Sequence, residues 1–333
     1  MQTHQAEAIV FCRYQDSFRY LILKRRPEDG GFWQPVTGGV EEGESVLEAA
    51  LREVREETGL TPLGEAIDLA YSFEFTNSKD ETLIEQVYAV EVSATESVVL
   101  SHEHTEYAWL PYGAALERMK WENNRQGLRI LHARLIGLPA ERPSTMPEKA
   151  ERVFEGDIFD VYQWPQELYD GSSKTFEKLR RPDTAVVIPI TADGQILILN
   201  EEQPGKAAAL QFPGGRIEEG ESPLQGVERE LLEETGYSVG DLTLLTTAQP
   251  VSKIDWNVYL FLARGCTKTG ELSLDPGERI EVNTVSFDDV VDMVKSDTLR
   301  DPEVITIVLR ALLDPSLLAA LRETWLAPIS NPS

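Results

Sequence analysis

Nearly the same nine residues occur twice in this chain, as Arg52-Glu53-Val54-Arg55-Glu56-Glu57-Thr58-Gly59-Leu60 and as Arg229-Glu230-Leu231-Leu232-Glu233-Glu234-Thr235-Gly236-Tyr237. A glycine and a glutamate precede each copy at the same spacing, and these are Gly38 and Glu44, then Gly215 and Glu221. Every matched position is offset by 177 residues, so a pattern of 23 residues occurs twice. Seven fixed letters at ordinary usage would arise by chance on the order of 10⁻⁸ per start position. We therefore predict two copies of one domain.

Length and composition agree with two globular domains. The chain has 333 residues and a net charge of −26, and 41% of its residues are hydrophobic. The acidity argues against a nucleic-acid partner, because phosphate backbones bind clustered Lys and Arg. No stretch approaches the roughly 18 apolar residues of a membrane span, and the N-terminus lacks the pattern of a secretory signal. We therefore expect a cytoplasmic protein with neither a membrane nor a nucleic-acid partner.

The order of apolar runs and breaks predicts the domain boundaries. We expect a first domain over residues 1–137, a linker over 138–147 and a second domain over 148–333. The linker prediction rests on three prolines, at positions 139, 143 and 147. In both domains strand-like runs alternate with helical spacing, which predicts α/β domains with mixed sheets. We also predict one helix over residues 114–135 and a hairpin around residues 155–157.

The repeated stretch has the signals of a helix of about 13 residues. Ser45 with Glu48, and Ser222 with Gln225, form capping boxes at the two N-termini. The glycines that end the two repeats supply left-handed stops. The residues predicted on the buried faces are Leu47, Ala50, Leu51 and Val54, then Leu224, Val227 and Leu231.

Three glutamates in each helix stand at positions i, i+3 and i+4, which places them on one side of it. Two charges about 6 Å apart repel by about 3 kcal/mol at an effective dielectric near 20, and a divalent cation converts this repulsion into attraction. Oxygen ligands favour Mg²⁺, with Mn²⁺ as the alternative. The competing interpretation is a solvated acidic face with ion pairs to Arg52. The full pattern, present twice, favours the metal site.

This pattern is the Nudix box, and the chain resembles two Nudix hydrolase domains in tandem. The resemblance implies α/β/α sandwich domains with mixed sheets, and metal-dependent cleavage of the diphosphate linkage in nucleoside diphosphates joined to another group. Its implied metal ligands are Glu53, Glu56, Glu57 and the Thr37 carbonyl, then Glu230, Glu233, Glu234 and the Gly214 carbonyl. Within these sets Glu56, Glu57, Glu233 and Glu234 are also implied to be catalytic. The implied structural pairs are Glu44 with Arg52 and Glu221 with Arg229.

The first half is similar to dihydroneopterin triphosphate pyrophosphatases over most of residues 6–135, carried by the runs 32–44 and 103–110. The resemblance makes Glu103 a further catalytic residue, as a metal ligand or a base, with an ordinary surface glutamate as the alternative. It also implies a nucleoside or pterin triphosphate substrate. Arg25 and Arg26 are candidates for phosphate binding, with a solvated charge run as the alternative. Trp33 is a candidate for stacking on a base, with a packing role as the alternative. Gly38 would let the backbone approach the phosphates.

The second half is similar to ADP-ribose pyrophosphatases, carried by the run 212–221 and by Glu278-Arg279-Ile280-Glu281-Val282. The resemblance implies a late-loop glutamate as a catalytic residue; Glu278 is favoured and Glu281 is the alternative. Gly215 and Arg216 are implied substrate contacts. The segments 201–206 and 249–256 depart from the family's pattern, so ADP-ribose itself is not fixed as the substrate. The family also pairs through this unit's first sheet, which implies a homodimer through Val153–Tyr162, unless the N-terminal unit covers that surface.

Two other hypotheses remain from the sequence. One domain alone is catalytic and the other is a nucleotide-binding or regulatory module, or the acidic faces bind partner proteins without a metal. Loss of activity confined to separate substrates would favour two catalytic domains over the first alternative.

Overall fold

The computed structural model describes residues 3–76 and 80–329. The chain forms two compact units, one reaching Ile136 and the other spanning Gly137–Pro328. Both are α/β units with mixed sheets, as predicted from the sequence. Among the described residues, no helix is both long and apolar enough to span a membrane.

The first unit contains one seven-stranded sheet and three helices. The strands are β1 (Thr3–Tyr14), β2 (Ser17–Arg25), β3 (Trp33–Gln34), β4 (Val36–Gly39), β5 (Ile67–Thr76), β6 (Thr82–Glu91) and β7 (His104–Leu110), and the helices are α1 (Val46–Thr58), α2 (Tyr112–Arg118) and α3 (Glu122–Leu135). The strand order is β3-β2-β1-β6-β5, with β4 paired to β1 and β7 paired to β2. Among the strand pairings of the described residues, that of β1 with β6 alone is parallel, so the sheet is mixed.

Strand β1 is buried on both faces of this sheet because helices cover both. Its residues Ala6, Ala8 and Val10 pack with Ala50 and Val54 of α1. The alternate residues of the strand point to the opposite face, as the period of two requires. Helices α2 and α3 lie on that second face.

The helix predicted over residues 114–135 is in fact two helices, so this prediction was wrong. The break falls at Met119, whose backbone is extended. There the chain forms a β-bridge to Trp33, and the Lys120 N–H donates to the Trp33 carbonyl at 3.2 Å. Pairing with β3 therefore interrupts a segment whose apolar spacing is otherwise helical.

The second unit contains an eight-stranded sheet, a four-stranded sheet and four helices. The strands are β8 (Glu151–Phe154), β9 (Asp160–Glu167), β10 (Ser173–Arg180), β11 (Thr184–Thr191), β12 (Ile196–Glu202), β13 (Ala209–Gln211), β14 (Gly214–Arg216), β15 (Tyr237–Ser238), β16 (Asp241–Ala248), β17 (Ile254–Asp255), β18 (Val258–Lys268) and β19 (Arg279–Val285), and the helices are α4 (Pro223–Thr235), α5 (Phe287–Lys295), α6 (Pro302–Leu312) and α7 (Pro315–Leu326).

The large sheet repeats the arrangement of the first unit. Its order is β13-β12-β11-β18-β15, with β14 paired to β11, β16 to β18 and β19 to β12. One face carries a core of Val186, Ile188 and Ile198, packed with Val290 of α5 and Trp325 of α7. The box helix α4 lies against β11 on the other side. Each unit is therefore a sheet between helical layers.

The predicted hairpin around residues 155–157 is confirmed, because β8 and β9 pair in antiparallel fashion. These strands belong to the four-stranded sheet, in the order β17-β10-β9-β8. At its edge Val153 and Phe154 are exposed. The homodimer predicted through this segment stays a prediction.

The predicted linker is bonded to the second unit over part of its length. The Arg142 guanidinium donates to Asp183 at 2.7 Å and to Asp255 at 2.9 Å, and the Thr145 N–H donates to Asp255 at 2.9 Å. Asp255 is fully buried. Burial pushes the pKa of this carboxyl up, but the Thr145 N–H, Arg142 and Arg180 outweigh it and lower the pKa to about 2. The segment around residues 142–145 is therefore a fixed part of the second unit.

Candidate active sites

The two box helices form as their sequences predict. Both are 13 residues long, both begin with a complete capping box, and both end at a glycine in the left-handed region. The buried face of α4 is the predicted one. In α1 the prediction for Leu47 was wrong, since this side chain is 37% exposed, whereas Glu57 is 3% exposed. Both helices bury their third glutamate, and they differ at Leu47, whose counterpart Leu224 is buried.

In the first unit an arginine joins the box helix to the loop before it. Arg52 Nε donates to Glu44 at 3.0 Å, and Nη2 donates to the Gly39 carbonyl at 2.8 Å. Its Nη1 donates to Glu53 at 2.7 Å and to Glu56 at 3.1 Å. One guanidinium therefore holds the loop and two glutamates of the cluster together.

The second unit repeats this arrangement. Arg229 Nε donates to Glu221 at 2.8 Å, and Nη2 donates to the Arg216 carbonyl at 2.8 Å. Its Nη1 donates to Glu230 at 2.9 Å and to Glu233 at 3.1 Å. The repeated letters of the sequence thus correspond to a repeated set of contacts.

A glycine before each box lies directly under the first glutamate of the cluster. A Cβ built on Gly38 would lie 1.9 Å from Glu53 Cδ, and one on Gly215 would lie 2.3 Å from Glu230 Oε1. No side chain fits at either position unless the glutamate moves. These glycines therefore leave the space that the two carboxylates occupy.

The third glutamate of each cluster is buried against the preceding strand. The Thr37 N–H bonds to Glu57, and the Gly214 N–H donates to Glu234 at 2.9 Å. Burial raises the pKa of Glu57 to about 8, and the neighbouring Glu53 adds to the rise. Burial raises the pKa of Glu234 to about 9 despite the Gly214 bond. Both carboxyls are thus held where their negative charge is costly.

These clusters suit a hard divalent cation. Glu57 Oε2 is buried and has no hydrogen-bond partner in the described part of the chain, so an acceptor oxygen is available. Among residues 3–76 and 80–329, no three acidic, histidine or cysteine side chains are already arranged to hold a metal ion. The Nη1 of each arginine bonds to one oxygen of each of two carboxylates, so it leaves the second oxygen of each for an ion.

In the first unit the structure brings Arg25 and Glu103 to the cluster. Arg25 Nη1 donates to Glu103 Oε2 at 2.9 Å. Burial raises the pKa values of Glu57 and Glu53, and the Glu103 carboxylate adds to both rises. Arg26, by contrast, pairs with Glu28 at 2.9 Å. Of the two basic candidates, Arg25 is therefore the one positioned at the acidic cluster.

Trp33 is half-buried and its ring lies near two cations. Lys24 Nζ is 5.8 Å and the Arg118 guanidinium carbon 5.2 Å from the ring centroid. This environment agrees with the packing alternative for Trp33 as well as with stacking on a substrate.

In the second unit the cluster opens into a cavity of about 660 Å³. Glu278 lines the cavity, whereas Glu281 lies opposite Asn200 in the β12–β19 pairing. The geometry thus agrees with Glu278 as the better placed candidate. The side chains that line this cavity include Ile158, Phe159, Arg181, Glu201, Arg216, Glu230, Glu233, Glu234 and Glu278.

Sequence reasoning missed Arg181 and Glu201, both of which line this cavity. The Arg181 guanidinium is 4.7 Å from the Trp256 ring centroid and 5.8 Å from that of Phe159. Burial and the nearby Arg216 lower the pKa of Arg181. In the sequence, Arg181 is marked only as part of a basic pair before a strand, and this pair has no fixed spacing to the box.

Comparison with known proteins agrees with this geometry. The NUDIX domain model matches residues 3–130 and 180–306. An ADP-ribose pyrophosphatase of Bacillus subtilis (strain 168) is 31% identical over 154 residues, which are 45% of this chain and 83% of that protein. A dihydroneopterin triphosphate diphosphatase of Escherichia coli (strain K12) is 38% identical over 125 residues, 34% of this chain and 83% of that protein.

The solved structure of the Escherichia coli dihydroneopterin triphosphate pyrophosphohydrolase is 29% identical, with a TM-score of 0.34, covering 39% of this chain and 95% of that one. The family match extends over most of the sequence and falls once in each unit. The resemblance of the two halves to two kinds of pyrophosphatase is confirmed. The chain therefore belongs to the Nudix hydrolases and carries two NUDIX domains.

Proposed function

We propose that both units hydrolyse diphosphate linkages with the help of Mg²⁺ or Mn²⁺. The first site acts on a nucleoside or pterin triphosphate, and the second acts on a nucleotide sugar of the ADP-ribose type. The observation that carries the proposal is the duplicated arrangement of arginine, glycine and three glutamates described above. It supports two catalytic sites over one catalytic and one regulatory domain, because neither copy has lost a member.

The residues of each box have separate roles in this proposal. Glu53, Glu56 and Glu57 hold the cation at the first site, and Glu230, Glu233 and Glu234 hold it at the second. The bound cation supplies Lewis-acid polarisation of the diphosphate. Arg52 and Arg229 are positioning residues, since each bonds to two of these carboxylates and to the preceding loop.

A glutamate outside the box accepts the proton of the attacking water at each site. At the first site this residue is Glu103, which Arg25 orients through a 2.9 Å bond. At the second site it is Glu278, which lines the cavity. Burial raises the pKa of Glu230, and the charge of Glu278 adds to the rise. A carboxylate near the reacting phosphorus can act as a general base.

Different cations at the two sites support different substrates. Arg25 of the first unit corresponds to Glu201 of the second, because Leu23 pairs with Gln34 in the first sheet as Leu199 pairs with Gln211 in the second. The second cavity instead carries Arg181 and Arg216, and the Arg181 guanidinium lies near the rings of Phe159 and Trp256. These cations suit the phosphates of a dinucleotide-like substrate, and the rings suit its base.

The test is product release from a panel of nucleoside triphosphates, pterin triphosphates and nucleotide sugars in Mg²⁺. We expect Glu57→Gln to lower kcat at least 100-fold for triphosphates only, and Glu234→Gln to do so for nucleotide sugars only. Both variants keep the shape of the side chain while removing its charge. Glu65→Gln, at an exposed glutamate, is the matched control.

Two results would contradict the proposal. Full activity in the double variant Glu57→Gln/Glu234→Gln would remove both sites from the chemistry. Equal loss of every activity in each single variant would indicate one catalytic domain coupled to a regulatory one.

A further inference from the structure

We propose that Glu201 is the residue that makes the second site select a diphosphate joined to an uncharged group and reject one that ends in a free phosphate. The inference rests on the proposed function of this site and names the residue that separates two classes of substrate. Glu201 belongs to the segment 201–206, in which the chain departs from the family's pattern, so the resemblance to the family gives it no role.

Glu201 and Arg25 hold equivalent places in the two units and carry opposite charges. The pairings of β2 with β3 and of β12 with β13 have the same register, which places both residues two positions after a leucine that lies opposite a glutamine. Side chains two positions apart on a strand point to the same face. In the first unit that leucine, Leu23, packs in the core beneath α1. In the second unit Glu201 lines the cavity together with the glutamates of α4.

The charge at this position acts on the acidic cluster of each unit. Burial raises the pKa of Glu57, and the positive charge of Arg25 opposes the rise. Burial also raises the pKa of Glu234, and there the negative charge of Glu201 adds to the rise. The charge of Glu201 adds in the same way to the burial that raises the pKa of Glu278. A group that acts on these carboxyls is also near a diphosphate that is bound among them.

Amides, rather than cations, surround the Glu201 carboxylate, which is buried at 6% exposure. Gln203 Nε2 donates to its Oε1 at 2.5 Å, and Gln211 Nε2 donates to its Oε2. Lys206 Nζ donates to Gln203 Oε1 at 2.7 Å, so an amide separates this cation from the carboxylate. In the part of the chain that the structure describes, Glu201 forms no ion pair with a lysine, arginine or histidine.

Two amide donors leave Glu201 both its charge and room for further donors. A carboxylate has about four lone-pair sites, and each of its two oxygens here accepts one amide bond. Amides are neutral, so the negative charge has no opposite charge beside it, and such burial is unfavourable. The residue can therefore accept more hydrogen bonds from a ligand, and it repels an anion.

The carboxylate is held by a neighbour that has a different partner in the first unit. There Gln34 Nε2 donates to Thr37 Oγ1 at 2.9 Å. The corresponding residues of the second unit are Gln211 and Gly214. Glycine offers no hydroxyl, and Gln211 donates to Glu201. The two units thus differ at several neighbouring positions, and together these place a fixed carboxylate in the second cavity.

The sign of this charge separates two kinds of substrate. A nucleoside triphosphate ends in a phosphate, which a guanidinium attracts and a carboxylate repels. A nucleotide sugar carries no charge beyond its diphosphate, and its hydroxyl groups can donate to a carboxylate. Repulsion of the wrong ligand is a general source of specificity. Arg25 therefore suits a triphosphate at the first site, and Glu201 suits an uncharged, hydroxylated group at the second.

The test is calorimetric binding of α,β-methylene ADP-ribose and α,β-methylene ATP in Mg²⁺. The two analogues share their nucleoside and differ in the group beyond the diphosphate. The full chain carries Glu57→Gln, so that the first site lacks a predicted metal ligand. We expect the second site to bind the ADP-ribose analogue at least 10-fold more tightly than the ATP analogue. Glu201→Arg should abolish or reverse this preference.

Glu201→Gln is the second variant, because it removes the charge with little change of shape and keeps the test valid if the arginine disturbs the fold. It should lower the preference at least 5-fold, with folding checked by circular dichroism. Glu202→Gln is the matched control. Glu202 is the exposed neighbour on β12, pairs with Arg279 at 3.7 Å, and should leave the preference unchanged on substitution.

Three results would overturn the inference. The first is an unchanged preference in Glu201→Gln, and the second is the lack of a preference before substitution, including no binding of either analogue. The third is a Glu201→Gln variant that needs more Mg²⁺ to bind both analogues and keeps their ratio, since Glu201 would then hold a cation instead.

Binding and turnover separate this inference from the proposed function. A preference that depends on Glu201, without hydrolysis of any nucleotide sugar, would support the inference and overturn hydrolysis at the second site. Hydrolysis of nucleotide sugars with a preference that ignores Glu201 would support the proposed function and overturn the inference.

Discussion

Glu57 and Glu234 are the most buried glutamates of the two box helices, at 3% and 5% exposure. A carboxylate so buried without a cation is unstable, which is why burial raises both pKa values. Metal ligands must be deprotonated, so ion binding and proton release are coupled at both residues.

This coupling predicts a dependence of stability on pH. In the folded state the pKa values of Glu57 and Glu234 are about 8 and about 9, above the ordinary value of 4.5. The protonated carboxyls therefore favour folding, and this contribution to stability is fully present below pH 4.5. That contribution is lost as the pH rises through 8 and 9. One unit of pKa corresponds to about 1.4 kcal/mol, so the free energy of unfolding falls by several kcal/mol. With EDTA, we expect the melting temperature to fall between pH 6 and pH 9.

Mg²⁺ should raise the melting temperature more at pH 8.5 than at pH 6. Differential scanning fluorimetry with Mg²⁺ and with EDTA measures the melting temperature at each pH. The control is Glu57→Gln/Glu234→Gln, in which other buried acids such as Glu85 and Asp301 remain. A pH dependence in EDTA that is equally steep in this variant would contradict the assignment.

In each unit the box helix comes very close to the strand before it, and this close approach positions the two elements together with hydrophobic packing. Strand β4 passes under α1, and β14 passes under α4, at the glycines that face Glu53 and Glu230. The arginine contacts of each box fix the same two elements from the other side.

We expect Gly38→Ala to lower kcat/KM of the first site at least 10-fold, because the new methyl group displaces Glu53 and misplaced catalytic groups cost rate steeply. Gly215→Ala should do the same at the second site through Glu230. Gly39→Ala is the matched control in strand β4, since a Cβ there meets no described atom within 4 Å. Steady-state kinetics on both substrate classes measure the effect. A Gly38→Ala enzyme as active as Gly39→Ala would show that the position of Glu53 is not critical.

The two units share the same central architecture and differ in the elements around it. Both units share the box helix, the mixed sheet and the arginine contacts, yet the second alone begins with a four-stranded sheet. That sheet and residues 142–145 meet at the buried Asp255. The boundary predicted at residue 148 stays a prediction, and these contacts indicate that the second unit needs residues before it.

A fragment that begins at Leu138 should therefore be more stable than one that begins at Glu148. The shorter fragment lacks Arg142, Ser144 and Thr145 and leaves Asp255 buried with fewer partners. Breaking a buried ion pair typically costs about 3–5 kcal/mol. Urea denaturation followed by circular dichroism measures the difference. Asp255→Asn in the longer fragment should remove most of the stability difference between the two fragments. Equal stabilities of the two unsubstituted fragments would contradict the argument.

The sequence by itself determined the features that depend on residues close together in the chain. Helix length, capping boxes, the glycine stops and the grouping of three glutamates follow from spacings of three or four residues. The pairing of Glu44 with Arg52 came from the resemblance, and the structure shows it at 3.0 Å. Repetition at a fixed offset showed that all of this occurs twice.

Only the tertiary structure decided which groups are buried and which meet across the chain. Leu47 is exposed whereas Leu224, at the same position of the other box helix, is buried, although the two helices have the same spacing in sequence. The break at Met119 arises from a pairing with Trp33, 86 residues earlier. Arg181 and Glu201 come from separate elements, and no local spacing in the sequence indicates that they line one cavity. Local geometry is encoded by neighbours in sequence, whereas burial and convergence depend on the packing of distant segments.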